Sequence, residues 1–316
     1  MKIKILDKAV IGNDLPFEKL SRFGEVVCYD SSLSLEIEDR VRDADVLIIN
    51  KVKITEQVIK SAHSLKLICV FATGYDNVDI DAARRASVAV CNVPAYSTES
   101  VALFTLSTVL NLATHMKEYE RYTSSGEYTE SGRANCLYPV YHELKGKKWG
   151  VVGYGNIGKR VAEIATAFGV ELLVNKRTPI AGVRCVDINT LCCESDIITL
   201  HLPLNSESKG IIGEEQISHM KNSVILVNEA RGAVIDEAAV AKAVKSGRIG
   251  AFGSDVYSDE PFGESHPFYE IKDLDNVCLT PHAAWAAYES RLRCLNVICD
   301  NIEAFIAQKT LNRVDK

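Results

Sequence analysis

Short aliphatic and β-branched runs recur at Ile3–Leu6, Glu25–Tyr29, Val46–Asn50, Leu67–Phe71 and Val88–Cys91, separated by mixed polar and apolar stretches of helical character. Strands that alternate with helices predict a parallel sheet. The rhythm restarts at Trp149–Val152 and continues through Glu171–Val174, Ile197–Leu200, Val224–Val227 and Val277–Leu279. The chain therefore reads as α/β, with two doubly wound sheets in series. No internal repeat, low-complexity segment or Pro/Gly/Ser-rich linker separates them, so helices are expected to join them. One candidate joint opens at Pro94-Ala95-Tyr96-Ser97-Thr98-Glu99, where hydroxyls can cap and Glu99 complements the helix dipole. It runs to about Met116 and is apolar nearly all round, the pattern of a helix covered on several sides. A last helical stretch, Tyr288–Gln308, follows the second sheet and is placed to return to the first domain.

At 316 residues the chain can build two separate cores. A net charge of −6 with 25% charged residues supplies no basic field for nucleic acid or an anionic membrane surface, which leaves small molecules as the expected partners. No apolar segment is long enough to span a bilayer, and the polar start Met1-Lys2-Ile3-Lys4 does not read as a signal peptide, so a cytoplasmic protein is expected. Ten cysteines suggest disulfides or a metal at first sight. Cys69, Cys91 and Cys278 fall in apolar runs, Cys192 and Cys193 are adjacent, and no Cys-x-x-Cys occurs, so cysteine reads as a small core residue and no metal site is expected.

Gly153-Tyr154-Gly155-Asn156-Ile157-Gly158 follows the apolar run Trp149–Val152 and opens a helical stretch, near the middle of the chain. In a dinucleotide-binding turn the first glycine permits the tight turn, the second admits a pyrophosphate, and the third lets helix and strand pack closely. The helix N-terminus adds unpaired N–H groups and a positive dipole end. The spacing alone is weak; strand and helix on either side strengthen it.

Three polar residues stand at the ends of apolar or turn segments in the second half. Arg231 follows Val224–Ala230, at the carboxyl end of an apparent strand, where open α/β sheets bind ligands. Its planar fork matches a carboxylate. His282 lies in Thr280-Pro281-His282-Ala283-Ala284-Trp285, and Glu260 in the loop Ser258-Asp259-Glu260-Pro261. Each alone has a commoner structural explanation. Together, a carboxylate can fix the imidazole tautomer and favour its protonated form, which makes a general acid.

With these residues in place the chain resembles the D-isomer-specific 2-hydroxyacid dehydrogenases over nearly its whole length. The resemblance rests on Ala72-Thr73-Gly74-Tyr75-Asp76-Asn77-Val78-Asp79, Asn92-Val93-Pro94-Ala95-Tyr96-Ser97-Thr98, the Gly153 turn, His201-Leu202-Pro203-Leu204, Ala230-Arg231-Gly232, Asp255-Val256, Glu260-Pro261 and Pro281-His282. Asn50-Lys51-Val52-Lys53, the Ala72-Thr73-Gly74 stretch and His282-Ala283-Ala284-Trp285 look most like glycerate dehydrogenases, also called hydroxypyruvate reductases. The resemblance implies a flavodoxin-like substrate domain split between residues 1–97 and 286–316, around a central Rossmann domain at 98–285 that binds NAD(P), with the active site in the cleft. It implies NAD(P)H-dependent reduction of a small 2-oxo acid, hydroxypyruvate or glyoxylate, to the D-2-hydroxy acid. Arg231 would hold and polarise the substrate, His282 would protonate its carbonyl oxygen, and Glu260 would keep His282 protonated. Substrate contacts are further implied at Asn50, Thr73, Gly74, Tyr75 and Trp285. Cofactor contacts are implied at Val101, Gly153, Tyr154, Gly155, Asn156, Ile157, Gly158, His201, Pro203, Ser208, Asn228, Glu229, Ala230, Arg231, Asp255, His282 and Ala284. The helix at Ser97–Met116 resembles the family's dimer element, so a homodimer is expected.

Two positions depart from the family pattern. Where an acid ordinarily meets the adenosine ribose, the strand Glu171–Val174 ends in Asn175-Lys176-Arg177. Lys176 and Arg177 can pair with a 2′-phosphate, so NADP(H) is expected over NAD(H). Glu229 stands where the family usually carries a small or hydroxyl residue, and a carboxylate there is placed to alter substrate or cofactor affinity. Two rivals use similar features. A nucleotide-sensing, corepressor-like binding protein would keep the fold with little turnover, and a methyltransferase shares a Gly-rich first turn but needs no Arg, Glu and His set.

Overall fold

The computed structural model describes residues 1–316. Its strands are β1 (Lys2–Ile5), β2 (Glu25–Cys28), β3 (Val46–Ile49), β4 (Leu67–Val70), β5 (Ala89–Cys91), β6 (Lys148–Val152), β7 (Glu171–Asn175), β8 (Ile197–Leu200), β9 (Ile225–Asn228), β10 (Ala251–Ser254) and β11 (Val277–Leu279). They form two wholly parallel sheets, ordered β2-β1-β3-β4-β5 and β11-β10-β9-β8-β6-β7. The chain divides accordingly into one unit of Met1–Ser97 with Ala286–Lys316 and a second of Thr98–Trp285.

In the first unit, β3 and β4 read VLII and LICV and are buried at every position. Such runs lack alternation because both faces of a parallel sheet are covered. The strand order is that of flavodoxin-like folds. The helix Tyr288–Ile306 packs against β4 and the 3-10 helix Phe17–Phe23, burying Leu295, Ile298 and Ile302. It stops short of the expected Gln308, which turns into the left-handed region at φ 54°. The chain end is tied to β5: Cys91 bridges Arg313, and Asp315 Oδ1 accepts the Val90 N–H at 2.9 Å.

The second unit holds one strand more than the apolar pattern predicts. β10 reads Ala-Phe-Gly-Ser, too small and polar to register as a strand run, and is fixed by pairing with β9 and β11 on either side. Its Gly253 has a packing reason, since a Cβ there would lie 2.4 Å from Thr108 Cγ2. The expected Ser97–Met116 helix is also shorter, Thr98–Ala113. His115 adopts φ 53°, which breaks the hydrogen-bond ladder before a second helix, Met116–Ser124. No helix is long and apolar enough to cross a membrane. All ten cysteines are free thiols.

One buried acid organises the carboxyl edge of the first sheet. Asp7, just past β1, accepts the backbone N–H groups of Asn50, Lys51 and Val52, which follow β3. Burial raises its pKa against the pull of these bonds. Replacing Asp7 with Ala strands three donors, and a buried donor without a partner costs about 1–3 kcal/mol. Asp7→Ala is expected to lower the urea-unfolding free energy by about 3 kcal/mol or more; a change below about 0.5 kcal/mol would contradict the role.

Candidate active site

In the second unit, the candidate catalytic residues lie beyond the carboxyl ends of strands. Because the strands are parallel, those ends share one edge of the sheet, where open α/β folds bind ligands. Arg231 follows β9, Asp255 and Glu260 follow β10, and His282 follows β11, so three adjacent strands deliver the chemical groups. His201 follows β8, the Gly153 turn follows β6, and Lys176 follows β7.

The His282 imidazole Nδ1 lies 2.9 and 2.8 Å from Glu260 Oε1 and Oε2. A carboxylate only accepts, so Nδ1 donates, which fixes the ring orientation and assigns any proton transfer to Nε2. Both side chains are 25% exposed, so their pairing in water adds little stability and serves orientation. His282 has φ 53°, an uncommon backbone state that costs about 1–3 kcal/mol. Asp255 secures it: Oδ1 accepts Ala283 N–H at 2.8 Å and Thr280 Oγ1 at 2.7 Å, while Oδ2 accepts Ala284 N–H at 2.8 Å. Hydrogen bonds to a charged group contribute about 1.5–3 kcal/mol each, enough together to outweigh the strain.

The Glu260 loop has its own clamp. Glu237 accepts Ser258 N–H at 2.9 Å and lies 3.1 Å from His266 Nε2, whose Nδ1 accepts Phe268 N–H at 3.2 Å. That assignment makes His266 a neutral donor to Glu237. Glu260 Oε1 also accepts Tyr257 N–H at 3.2 Å, and the Tyr257 hydroxyl donates to Thr280 O at 2.7 Å, linking the chain beyond β10 to that beyond β11. A Cβ on Gly232 would lie 2.0 Å from the Tyr257 carbonyl carbon, so the segment after Arg231 packs against the same loop. Arg231 donates Nη1 to Ala230 O at 2.8 Å and has no carboxylate in ion-pair range, leaving guanidinium donors for a ligand. Asn228 Nδ2 holds the Arg231 carbonyl at 3.0 Å.

The glycine turn separates its three roles by geometry. Gly153 has φ +88°, and a Cβ on it would meet His201 O at 2.7 Å. Gly158 faces Gly153 O, 2.0 Å from where its Cβ would sit. Gly155 has nothing within 4 Å, so its Cβ position is open space. Gly155 precedes the helix Asn156–Thr166, which no side chain caps. An open backbone approach beside free N–H groups fits a pyrophosphate. His201 carries two buried ring nitrogens without partners, and burial lowers its pKa to about 3, so the ring is neutral. The Ser208 hydroxyl is occupied within its own loop, donating to Pro203 O at 2.6 Å. Ala284 is buried and its carbonyl accepts Ser100 Oγ, near the buried Val101 on the same helix. Lys176 and Arg177 are exposed, and Arg177 pairs with Glu207 at 2.5 Å.

The substrate residues expected in the first unit lie on its own carboxyl edge. Asn50 donates Nδ2 to Phe71 O at 2.8 Å, and its buried Oδ1 has no partner. Thr73 Oγ1 donates to Val93 O at 2.8 Å, and Asn92 Nδ2 holds Thr73 O at 2.7 Å. The N–H groups of Thr73, Gly74 and Tyr75 donate to no group of the chain. Sequence reasoning missed Asp7, Asn77, which donates to Asn50 O and Val52 O, and the Glu237–His266 clamp. Asp7 had a legible signal, an acid directly after a strand.

A family model for the D-isomer specific 2-hydroxyacid dehydrogenase NAD binding domain matches residues 106–284. Hydroxypyruvate reductase of Blautia hydrogenotrophica is 34% identical, with all of both chains covered. The chain belongs to the D-isomer-specific 2-hydroxyacid dehydrogenases. Glycerate dehydrogenase of Methylorubrum extorquens is another relative of this dehydrogenase, 38% identical over 89% of the chain and 88% of its own. Among solved structures, an acyclic imino acid reductase in complex with NADPH and D-Arg superposes at a TM-score of 0.87 with 31% identity, covering 99% and 100% of the two chains. D-lactate dehydrogenase from Aquifex aeolicus, complexed with NAD and lactic acid, gives 0.88 with 28% identity over 100% and 99%. The dehydrogenase thus uses a nicotinamide cofactor.

The turn geometry separates binding from stability. Gly155→Ala is expected to leave the melting temperature nearly unchanged and to weaken nucleotide binding at least about tenfold, while Gly158→Ala lowers stability by about 2 kcal/mol or more. Calorimetry of both variants checks this; equal destabilisation by the two would contradict it.

Proposed function

We propose that the protein reduces hydroxypyruvate or glyoxylate to the D-2-hydroxy acid with NADPH preferred over NADH. What carries the reading is the Glu260-held imidazole, whose Nδ1 is engaged by both carboxylate oxygens and whose orientation is thereby set. His282 is the general acid, Glu260 orients it, and Arg231 binds and polarises the 2-oxo acid with the guanidinium donors that no carboxylate of the chain uses. The unpaired N–H groups at Thr73, Gly74 and Tyr75 suit a carboxylate, and in this reading they, Asn50 and Trp285 count among the substrate-binding residues. The reduced nicotinamide supplies the hydride when bound. Gly155 and the helix N-terminus after it would receive the pyrophosphate in a turn shaped by Gly153 and Gly158, with His201 as a neutral neighbour, and Asp255 would meet the nicotinamide end. Names of the relatives support the substrate class: hydroxypyruvate reductase, glycerate dehydrogenase and, from Aeropyrum pernix, glyoxylate reductase at 34% identity.

The cofactor preference rests on Lys176 and Arg177, with no acid at the end of β7. Glu207 competes for Arg177, so Glu207→Gln should favour the phosphorylated nucleotide further. A homodimer completes the reading, supported by apolar residues left exposed on the second unit: Leu103, Met116, Leu137, Tyr138, Val140 and Tyr141. Light scattering at twice the chain mass is the expected result, and a monomer would contradict it.

His282→Ala is expected to lower kcat about 100- to 10,000-fold while nucleotide still binds. An active variant would remove the general acid role. Lys176→Ala with Arg177→Ala should reduce kcat/KM for NADPH about tenfold or more and leave NADH little changed. Equal efficiency of the unaltered enzyme with both nucleotides would overturn the preference.

A further inference from the structure

Glu229 is the most unusual acid in the chain. It follows β9 directly, is 8% exposed, and neither carboxyl oxygen has a hydrogen-bond partner. Asn228 is in register with Ser254 on the adjacent strand, so Glu229 and Asp255 occupy neighbouring positions one step further along. Parallel neighbours on one face bring two carboxyl groups side by side in a dry setting, where like charges disfavour a second ionisation. The donors decide which acid keeps the proton. Asp255 accepts three hydrogen bonds, from Thr280, Ala283 and Ala284, and behaves as an acceptor only. Glu229 accepts none.

The other elements around Glu229 offer no compensating cation. β11 brings the Cys278 thiol, the chain after β10 brings the Tyr257 hydroxyl, and the helix Thr98–Ala113 brings the uncharged Thr108. The Thr108 hydroxyl lies close enough to ease the charged form slightly, without reaching hydrogen-bonding geometry. Burial, then the Asp255 charge, push the Glu229 pKa well above the usual carboxylate range.

We propose that Glu229 is carried as a neutral carboxylic acid and acts as a positioning residue for the His282 turn, by leaving Asp255 the only anion of the pair. Losing the Glu229 proton sets two charges side by side and releases Asp255 from the Ala283 and Ala284 amides, and with them the His282 backbone. The consequence for catalysis rests on the general acid role of His282; the coupling of Glu229 to the turn does not.

The sign of the stability effect follows from the raised pKa. Between the unfolded and folded pKa values of Glu229 the native state binds more protons than the unfolded one, so this group's contribution to stability falls as pH rises through that window and stays low above it. Glu229→Gln, which cannot ionise, and Glu229→Met, of similar length, lack that loss.

The test compares wild type, Glu229→Gln and Glu229→Met by hydrogen exchange of the segment 280–285 over rising pH, corrected for base catalysis with the segment 225–228 as internal reference. In wild type, corrected exchange at 280–285 is expected to accelerate roughly tenfold or more as Glu229 titrates, whereas both variants stay flat. Melting temperatures should shift in favour of the variants over the same interval, and kcat for hydroxypyruvate should lose an alkaline decline that wild type shows. Constant corrected exchange in wild type overturns the proposal, and that measurement needs no folded variant. Exchange that accelerates as expected, with an active His282→Ala enzyme, would retain the Glu229 coupling and discard only the general acid reading.

Discussion

The candidate chemistry depends on the hold of one buried carboxylate on one turn. His282 sits in a backbone state that ordinary side chains avoid, and Asp255 fixes it by taking the next two amides and the Thr280 hydroxyl. Without those bonds the turn would relax towards commoner backbone angles and the imidazole would leave Glu260. The Glu260–His282 pair is partly exposed, so it cannot itself supply the energy that holds the turn. Stability sits in the buried acid, and orientation in the exposed one.

The parallel sheet turns that local arrangement into a site. Residues scattered from Gly153 to His282 reach one edge because each follows a strand, and all strands run the same way. Loops beyond strand ends are free to carry polar groups, whereas central strands such as β8 are buried at every position. The Glu237–Ser258–His266 clamp and the close approach of Gly232 to Tyr257 make the loop after β10 part of the scaffold. A residue there can hold an angle as well as a strand residue does.

Much of this was legible in the sequence because it depends on local pattern. Ile197–Leu200 and Val277–Leu279 are strands at their expected residues, since continuous apolar runs between turn signals have few other fates. Arg231 and His282 were legible as groups following such segments, and Glu260 as an acid in a turn. β10 was not, because its strand character comes from neighbours on both sides and its Gly253 answers to Thr108, far away in sequence. The break at His115 was hidden for a related reason: a single left-handed residue ends the helix, and no glycine or proline marks the place. The partners of Asp255 and Glu237 lie 21 to 29 positions away, beyond any local spacing rule. Glu229 was visible as a departure, but its meaning required the register of β9 against β10.

In the proposed function this edge takes part in hydride reduction of a short 2-oxo acid and does not merely bind a nucleotide. The most direct measurement follows reduced nicotinamide consumption and product chirality when the purified protein is given hydroxypyruvate. The account predicts one D-glycerate formed for each nucleotide oxidised. Nucleotide binding without oxidation, or formation of the L product, would contradict it.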